Sequence, residues 1–121
     1  MKSKEALSSL AMDVSGVIGA CIVDSSSGLM LGSAGKSSAF NLELAAASNT
    51  EVVRAERKAM KMLDLNDPIE DILITLGRQY HLLRPLRTND ALFIYVVLDR
   101  SRANLALARH RLANIEGDLE V

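Results

Sequence analysis

The alternation of apolar and polar positions divides the chain into eight segments. Within Lys4–Asp13, Leu7, Leu10 and Ala11 recur at the spacing of one face of a short helix, and Ser15-Gly16 breaks it. Gly16-Val17-Ile18-Gly19-Ala20-Cys21-Ile22-Val23 is apolar throughout, short and β-branched, which predicts a strand covered on both faces. Gly19 inside that strand points to close approach by another backbone, or to a bulge. Asp24-Ser25-Ser26-Ser27-Gly28 carries turn chemistry, and Leu29-Met30-Leu31 returns as the second strand of a hairpin. Gly32 to Ser38 reads as a loop of small residues, with Ser37 or Ser38 placed to cap the next helix.

From Ala39 to about Leu65 good helix formers dominate, predicting a helix of about seven turns that Asn66-Asp67-Pro68 stops. Its first half is crowded with Ala45, Ala46, Ala47 and Ser48. Its second half mixes Glu51, Arg54, Glu56, Arg57, Lys58 and Lys61, which suits wet faces. Three strand-like segments follow, Ile69–Leu76, Tyr80–Leu86 and Ala91–Leu98, with turns at Gly77-Arg78 and Arg87-Thr88-Asn89-Asp90. The last of them is apolar on both faces and belongs at the centre of a sheet. Arg102–Glu116 places Leu105, Ala108, Leu112 and Ile115 on one face of a final helix, which Gly117 ends.

Two strands buried on both faces require layers above and below them, and the helices supply those layers. The order α-β-β-α-β-β-β-α therefore predicts an α+β fold, an α/β sandwich with a five-stranded antiparallel sheet and helices on both faces. At 121 residues, with no linker, repeat or low-complexity tract, the expectation is a single domain over residues 1–121.

Composition narrows the function. A net charge of −1 argues against nucleic acid as the main partner. With no Trp and 3% aromatics, stacking platforms would have to come from Phe40, Tyr80, Phe93 and Tyr95. Cys21 is the sole cysteine, which excludes an intrachain disulfide and suits a reducing compartment. The N-terminus lacks an apolar core of signal-peptide length, and no stretch approaches the roughly 18 apolar residues of a membrane span. A cytoplasmic protein without integral membrane contact is expected.

Local residues carry a resemblance. Gly16-Val17-Ile18-Gly19 running into Asp24-Ser25-Ser26-Ser27-Gly28 resembles the opening hairpin of dynein-light-chain roadblock domains, a Gly-Val-x-Gly strand followed by an Asp-x-x-Gly turn. Leu98-Asp99-Arg100-Ser101-Arg102-Ala103-Asn104-Leu105 is similar to that family's entry into its last helix. The likeness spans nearly the whole chain and is closest to a stand-alone bacterial or archaeal-like member. It implies a profilin-like architecture and a homodimer in which long helices pack together and third strands pair into one ten-stranded sheet. It also implies a non-catalytic module that docks a small Ras-like GTPase or scaffolds a larger complex. In some bacterial relatives the domain promotes GTP hydrolysis by ordering the GTPase's own catalytic loops.

The residues are compatible with that dimer. Ala45, Ser48, Val52 and Ala55 form a narrow stripe of small side chains that admits a close neighbour. Ile69, Ile72 and Ile74 lie in a strand whose edge would otherwise be open to pairing. The competing account of the stripe is packing on its own sheet.

No catalytic set is visible. Gly32-Ser33-Ala34-Gly35-Lys36-Ser37-Ser38 imitates a phosphate-binding loop, but Met30 stands where that loop needs its first glycine. His81 and His110 are isolated from metal-ligand partners and read as surface residues. Cys21, in an apolar strand, reads as a buried thiol. Glu70 and Asp71 are adjacent in a strand and point to opposite faces, so they cannot converge on a substrate. Arg78, Arg84, Arg87, Arg100, Arg102, Arg109 and Arg111 read as solvated surface, with a patch for an acidic partner as the sharper alternative. No cofactor and no metal are expected. A small-molecule sensor of the same architecture is the alternative function, and it would need an enclosed, polar-lined cavity between sheet and helices.

Overall fold

The computed structural model describes residues 2–35 and 40–119. Its elements are α1 (Ser3–Asp13), β1 (Val17–Asp24), β2 (Leu29–Gly35), α2 (Leu42–Met62), β3 (Ile72–Thr75), β4 (Gln79–Pro85), β5 (Leu92–Asp99) and α3 (Leu105–Asp118). The strands form one five-stranded antiparallel sheet in the order β2-β1-β5-β4-β3. β5 lies at its centre, as its unbroken apolar run requires.

Period-2 alternation along β5 splits the interior into two cores. Leu92, Ile94, Val96 and Leu98 face one side, where Ala6, Leu7 and Leu10 of α1 and Ala108, Leu112 and Ile115 of α3 cover them. Phe93, Tyr95 and Val97 face the other side, together with Cys21, Val23 and Leu83, under Ala46 and Val53 of α2. Helices therefore cover both faces, two on one side and α2 on the other.

Several boundaries differ from the pattern-based reading. Gly32–Gly35 is strand and not loop, because β2 runs on in register with β1, with Gly35 opposite Gly19. A Cβ on Gly35 would sit 2.8 Å from Gly19 Cα and from the Ile18 carbonyl oxygen, so only glycine allows this approach. Leu31 is an extra residue in β2, since Ile22 pairs with Gly32 but Val23 pairs with Met30. Ser37, Ser38 and Ala39 lie outside the described residues. The cap of α2 is Asn41, whose side-chain oxygen accepts from the Leu44 N–H at 3.0 Å.

α2 spans 21 residues, about 32 Å. It stops before Asn66-Asp67-Pro68, because Asp64 adopts φ 56 and the Leu65 N–H turns back onto the Met60 carbonyl. β3 is only four residues, so Ile69 precedes the strand instead of belonging to it. α3 starts at Leu105 behind the Asn104 cap and carries Gly117 inside its last turn. Both caps are residues whose side chains mimic the missing turn of helix.

Candidate interaction surface

Of the seven residues that the sequence pattern points to, Ala45 and Val52 are half-buried and pack on the core beneath α2. Ser48 and Ala55, on the same helix, are exposed. Ile72 and Ile74 are half-buried on β3 and touch that same core from the rim of the sheet. Ile69 is half-buried ahead of β3. The fold thus gathers Ala45, Val52, Ile72 and Ile74 around one core, while Ser48 and Ala55 look outward. The stripe is divided between its own sheet and the surface.

The second half of α2 adds residues that the pattern does not single out. From Arg54 to Met62 no side chain is fully buried, and Met62, Leu63 and Leu65 at its end are exposed. Helical periodicity fails to flag them because they fall where the helix closes into a turn. Among the described residues β3 pairs with β4 on one side only, Ile72 through Thr75 opposite Leu83 through Tyr80, and its other rim is free. Such a rim offers unpaired backbone groups.

Charged residues mostly serve the fold. Arg54 and Arg57, expected on wet faces, clasp the sheet end: Arg54 donates to the carbonyls of Ser25 (2.9 Å) and Ser26 (2.8 Å), and Arg57 donates to the Ser25 hydroxyl and the Asp90 carbonyl. Arg84, expected at the surface, is buried and pairs with Glu116 at 2.7 Å, whose second oxygen accepts the Arg87 N–H at 2.6 Å. Arg109 grips Asp71 with two nitrogens at 3.0 and 3.1 Å, and Arg111 pairs with Asp13. Arg100 donates to the Leu76 carbonyl at 3.0 Å and lies over the Tyr80 ring. A strand periodicity reports facing, not partners, so these pairings were beyond it.

The residues that imitate chemistry are accounted for structurally. Gly32–Gly35 of the loop-like motif is paired in β2, while Lys36, Ser37 and Ser38 lie outside the described residues. Cys21 is buried, and burial pushes its thiol up to about 12. His81 is buried, contrary to the surface reading. Its Nε2 meets Gln79 Oε1 and its Nδ1 meets the Tyr95 hydroxyl, both at 2.8 Å, and Phe40 abuts it edge-on. His110 is exposed and lies 3.4 Å from the Asn114 amide.

Two strand ends repeat one device. Asp24 accepts from the N–H and hydroxyl of Ser26 (2.9 and 2.6 Å), and Asp99 from those of Ser101 (3.0 and 2.8 Å). These hydrogen bonds hold both carboxyls below the usual range. They shape turns. Glu70 and Asp71 precede β3 instead of lying in it, and they pair with different residues, Arg87 and Arg109.

Among the described residues no three His, Cys, Asp or Glu side chains converge as a metal site. Two depressions stand out, about 280 Å³ beside Gly19, Gly35 and Phe40, and about 510 Å³ beside Arg78, Asp99 and Arg100. The first lies between the β1–β2 edge and Leu42 at the start of α2, the second between the β3–β4 turn and the end of β5, and both are open to the surface. No helix of the described residues is long and apolar enough to cross a membrane.

This arrangement, with one antiparallel sheet sandwiched by α2 and by the α1–α3 pair, is the roadblock/LC7 fold. The chain superposes on the roadblock/LC7 domain from Streptomyces avermitilis with a TM-score of 0.82 at 14% identity, covering 98% of this chain and 94% of that one. It is similarly close to Myxococcus xanthus MglB, at 0.81 and 16% identity, covering 95% and 89%. A further MglB structure, with a tetrameric arrangement, matches at 0.78 and 15% identity over 93% and 80%. At these identities the likeness is one of fold. No protein-family model and no curated protein matches the sequence.

Proposed function

We propose that the protein is a non-catalytic, homodimeric interaction module that binds or regulates a small Ras-like GTPase or scaffolds a larger complex. The whole of residues 1–121 serves as one such domain, and the module works in the cytoplasm. The observation that carries the reading is the rim of the sheet at β3. β2, at the other rim, is blunted by its extra residue Leu31, whereas β3 runs in unbroken register with its free side open. On the α2 side of the sheet, Ser48 and Ala55 are exposed and small enough for a second helix to approach.

A shared fold with MglB, one structure of which has a tetrameric arrangement, supports self-association and protein partners. The GTPase partner follows from the roadblock resemblance. Catalysis by such a module needs no residue of its own in the reacting site, because the charge of the transition state can be met by groups of the GTPase.

The test has two parts. Light scattering on the purified protein should give the mass of a dimer, and a native monomer defeats the reading. A pull-down from the host should return a small GTPase whose hydrolysis rate changes on adding the protein. Binding with no effect on hydrolysis leaves scaffolding as the role; capture of no GTPase ends the GTPase form of the proposal.

A further inference from the structure

Seven arginines fall late in the chain, and the structure sorts them. Arg84, Arg109 and Arg111 are paired with Glu116, Asp71 and Asp13. Arg87 stands at the β4–β5 turn, 3.8 Å from Glu70, with both side chains largely exposed. The other three come together at the opposite end of the sheet, on two turns tied to each other. Arg78 lies in the turn between β3 and β4, Arg100 and Arg102 follow β5, and the Arg100 N–H donates to the Arg78 carbonyl at 3.0 Å.

Between these turns lies the larger depression, about 510 Å³, lined by Gly77, Arg78, Asp99, Arg100 and Ser101. The exposed Arg78 side chain has no partner among the described residues. Arg100 is held in place: one guanidinium nitrogen donates to the Leu76 carbonyl at 3.0 Å, and the group lies over the Tyr80 ring, 5.4 Å from its centroid. Asp99 is the one carboxylate in the lining. The Ser101 hydroxyl and N–H both donate to its Oδ1, and they and the charge of Arg102 hold it below the usual carboxylate range. Three cations around one carboxylate give this end of the sheet an excess of positive charge, in a chain whose net charge is −1.

Like charges set together repel, and no contact within the described fold holds the Arg78 guanidinium there. An anion in the depression relieves that repulsion, and a guanidinium fork matches the two oxygens of a carboxylate. Arg100 is already immobile and loses little freedom on binding. Arg78 stands beside Gly77, around which the space is open, and has room to turn toward the ligand. Leu76, 43% exposed next to the turn, offers an apolar contact to a neighbouring residue. Nucleic acid fits less well, because Arg100 covers the Tyr80 ring and the lining presents no stacking platform. A membrane fits less well too, since no apolar side chain lines the depression.

We infer that this depression docks an acidic segment of a partner protein, with one Asp or Glu carboxylate held between Arg78 and Arg100. The inference rests on the reading of the chain as an interaction module and names the chemistry of one partner. It requires neither the dimer nor the GTPase.

The probe is a hexaglutamate peptide, titrated at low salt into isotope-labelled protein and followed by amide NMR. Saturable shifts are expected at Gly77, Arg78, Arg100 and Ser101, and none there with hexalysine. Arg78→Glu and Arg87→Glu change the net charge equally, and neither removes a buried contact. Arg78→Glu should weaken binding by roughly tenfold, while Arg87→Glu should leave it within about twofold. Arg100→Lys keeps the charge but not the fork and should weaken binding about threefold; wild-type binding by that variant overturns the pairing with Arg100. Equal losses from the two glutamate variants mean diffuse attraction and overturn the site, as does the absence of saturable shifts at those amides. If inorganic phosphate or phosphatidylserine vesicles shift the same amides at lower concentration than the peptide, the partner is not an acidic protein segment. The titration reads binding by monomer or dimer alike, so a monomer in light scattering sinks the dimer and leaves this inference standing.

Discussion

His81 has both ring nitrogens satisfied as a neutral ring. With its proton on Nε2 it donates to Gln79 Oε1, and Nδ1 accepts from the Tyr95 hydroxyl. Burial lowers its pKa below the ordinary 6.5. The unfolded chain therefore takes up a proton first, so stability declines as pH falls through 6.5 and levels off once the folded ring protonates too. Urea unfolding at about pH 7.5 and about pH 5.5 should show that loss, and His81→Asn should remove it. Burial of the Arg84–Glu116 pair makes a sharper case. Side chains exposed by 10% and 8% leave no water to compensate a lost partner. Glu116→Ala should cost about 3 kcal/mol in chemical denaturation. Glu51→Ala, which releases the exposed Arg54 from a 2.9 Å contact, should cost under about 0.5 kcal/mol.

Helix and strand limits are decided by a few atoms. Asn41 supplies the oxygen for the Leu44 N–H in the first turn of α2, and Asn41→Ala should lower stability by about 1 kcal/mol. At the other end Asp64 takes the left-handed conformation that a short polar side chain tolerates. Between β1 and β2, Gly35 has no room for a methyl group, whereas Gly77 has nothing within 4 Å of where its Cβ would stand. Gly35→Ala should therefore destabilise by roughly 2 kcal/mol in a thermal melt, and Gly77→Ala should leave the fold's packing undisturbed. Apolar periodicity located all eight elements. It misjudged β2 because glycines and serines have low strand preference yet pair when a partner backbone comes this close. It overran β3 and α2 because apolar residues continue past the last backbone hydrogen bond of each.

At the scale of the whole molecule, the sheet leaves two rims and one long helix with an outward stripe. Ala55 and Ser48 are exposed, so a bulky charge there can extend into solvent. Ala55→Arg should yield a monomer by light scattering, while unfolding of the protomer shifts by less than about 0.5 kcal/mol. Failure of that variant to change the mass would move the dimer contact off α2.

What the residues alone determined is which faces must be dry. The apolar runs of β1 and β5 demanded cover on both sides, the helical stripes of α1 and α3 demanded a sheet beneath them, and the charge excluded whole classes of partner. Periodicity encodes facing because it is local, with a repeat of about 2 residues in strands and about 3.6 in helices. The strand order, the open rim at β3, the burial of His81 and Arg84, and the clasp of Arg54 and Arg57 on distant carbonyls were decided by tertiary structure. Each depends on contacts between residues far apart in sequence, and no periodicity within a segment records who its neighbour will be.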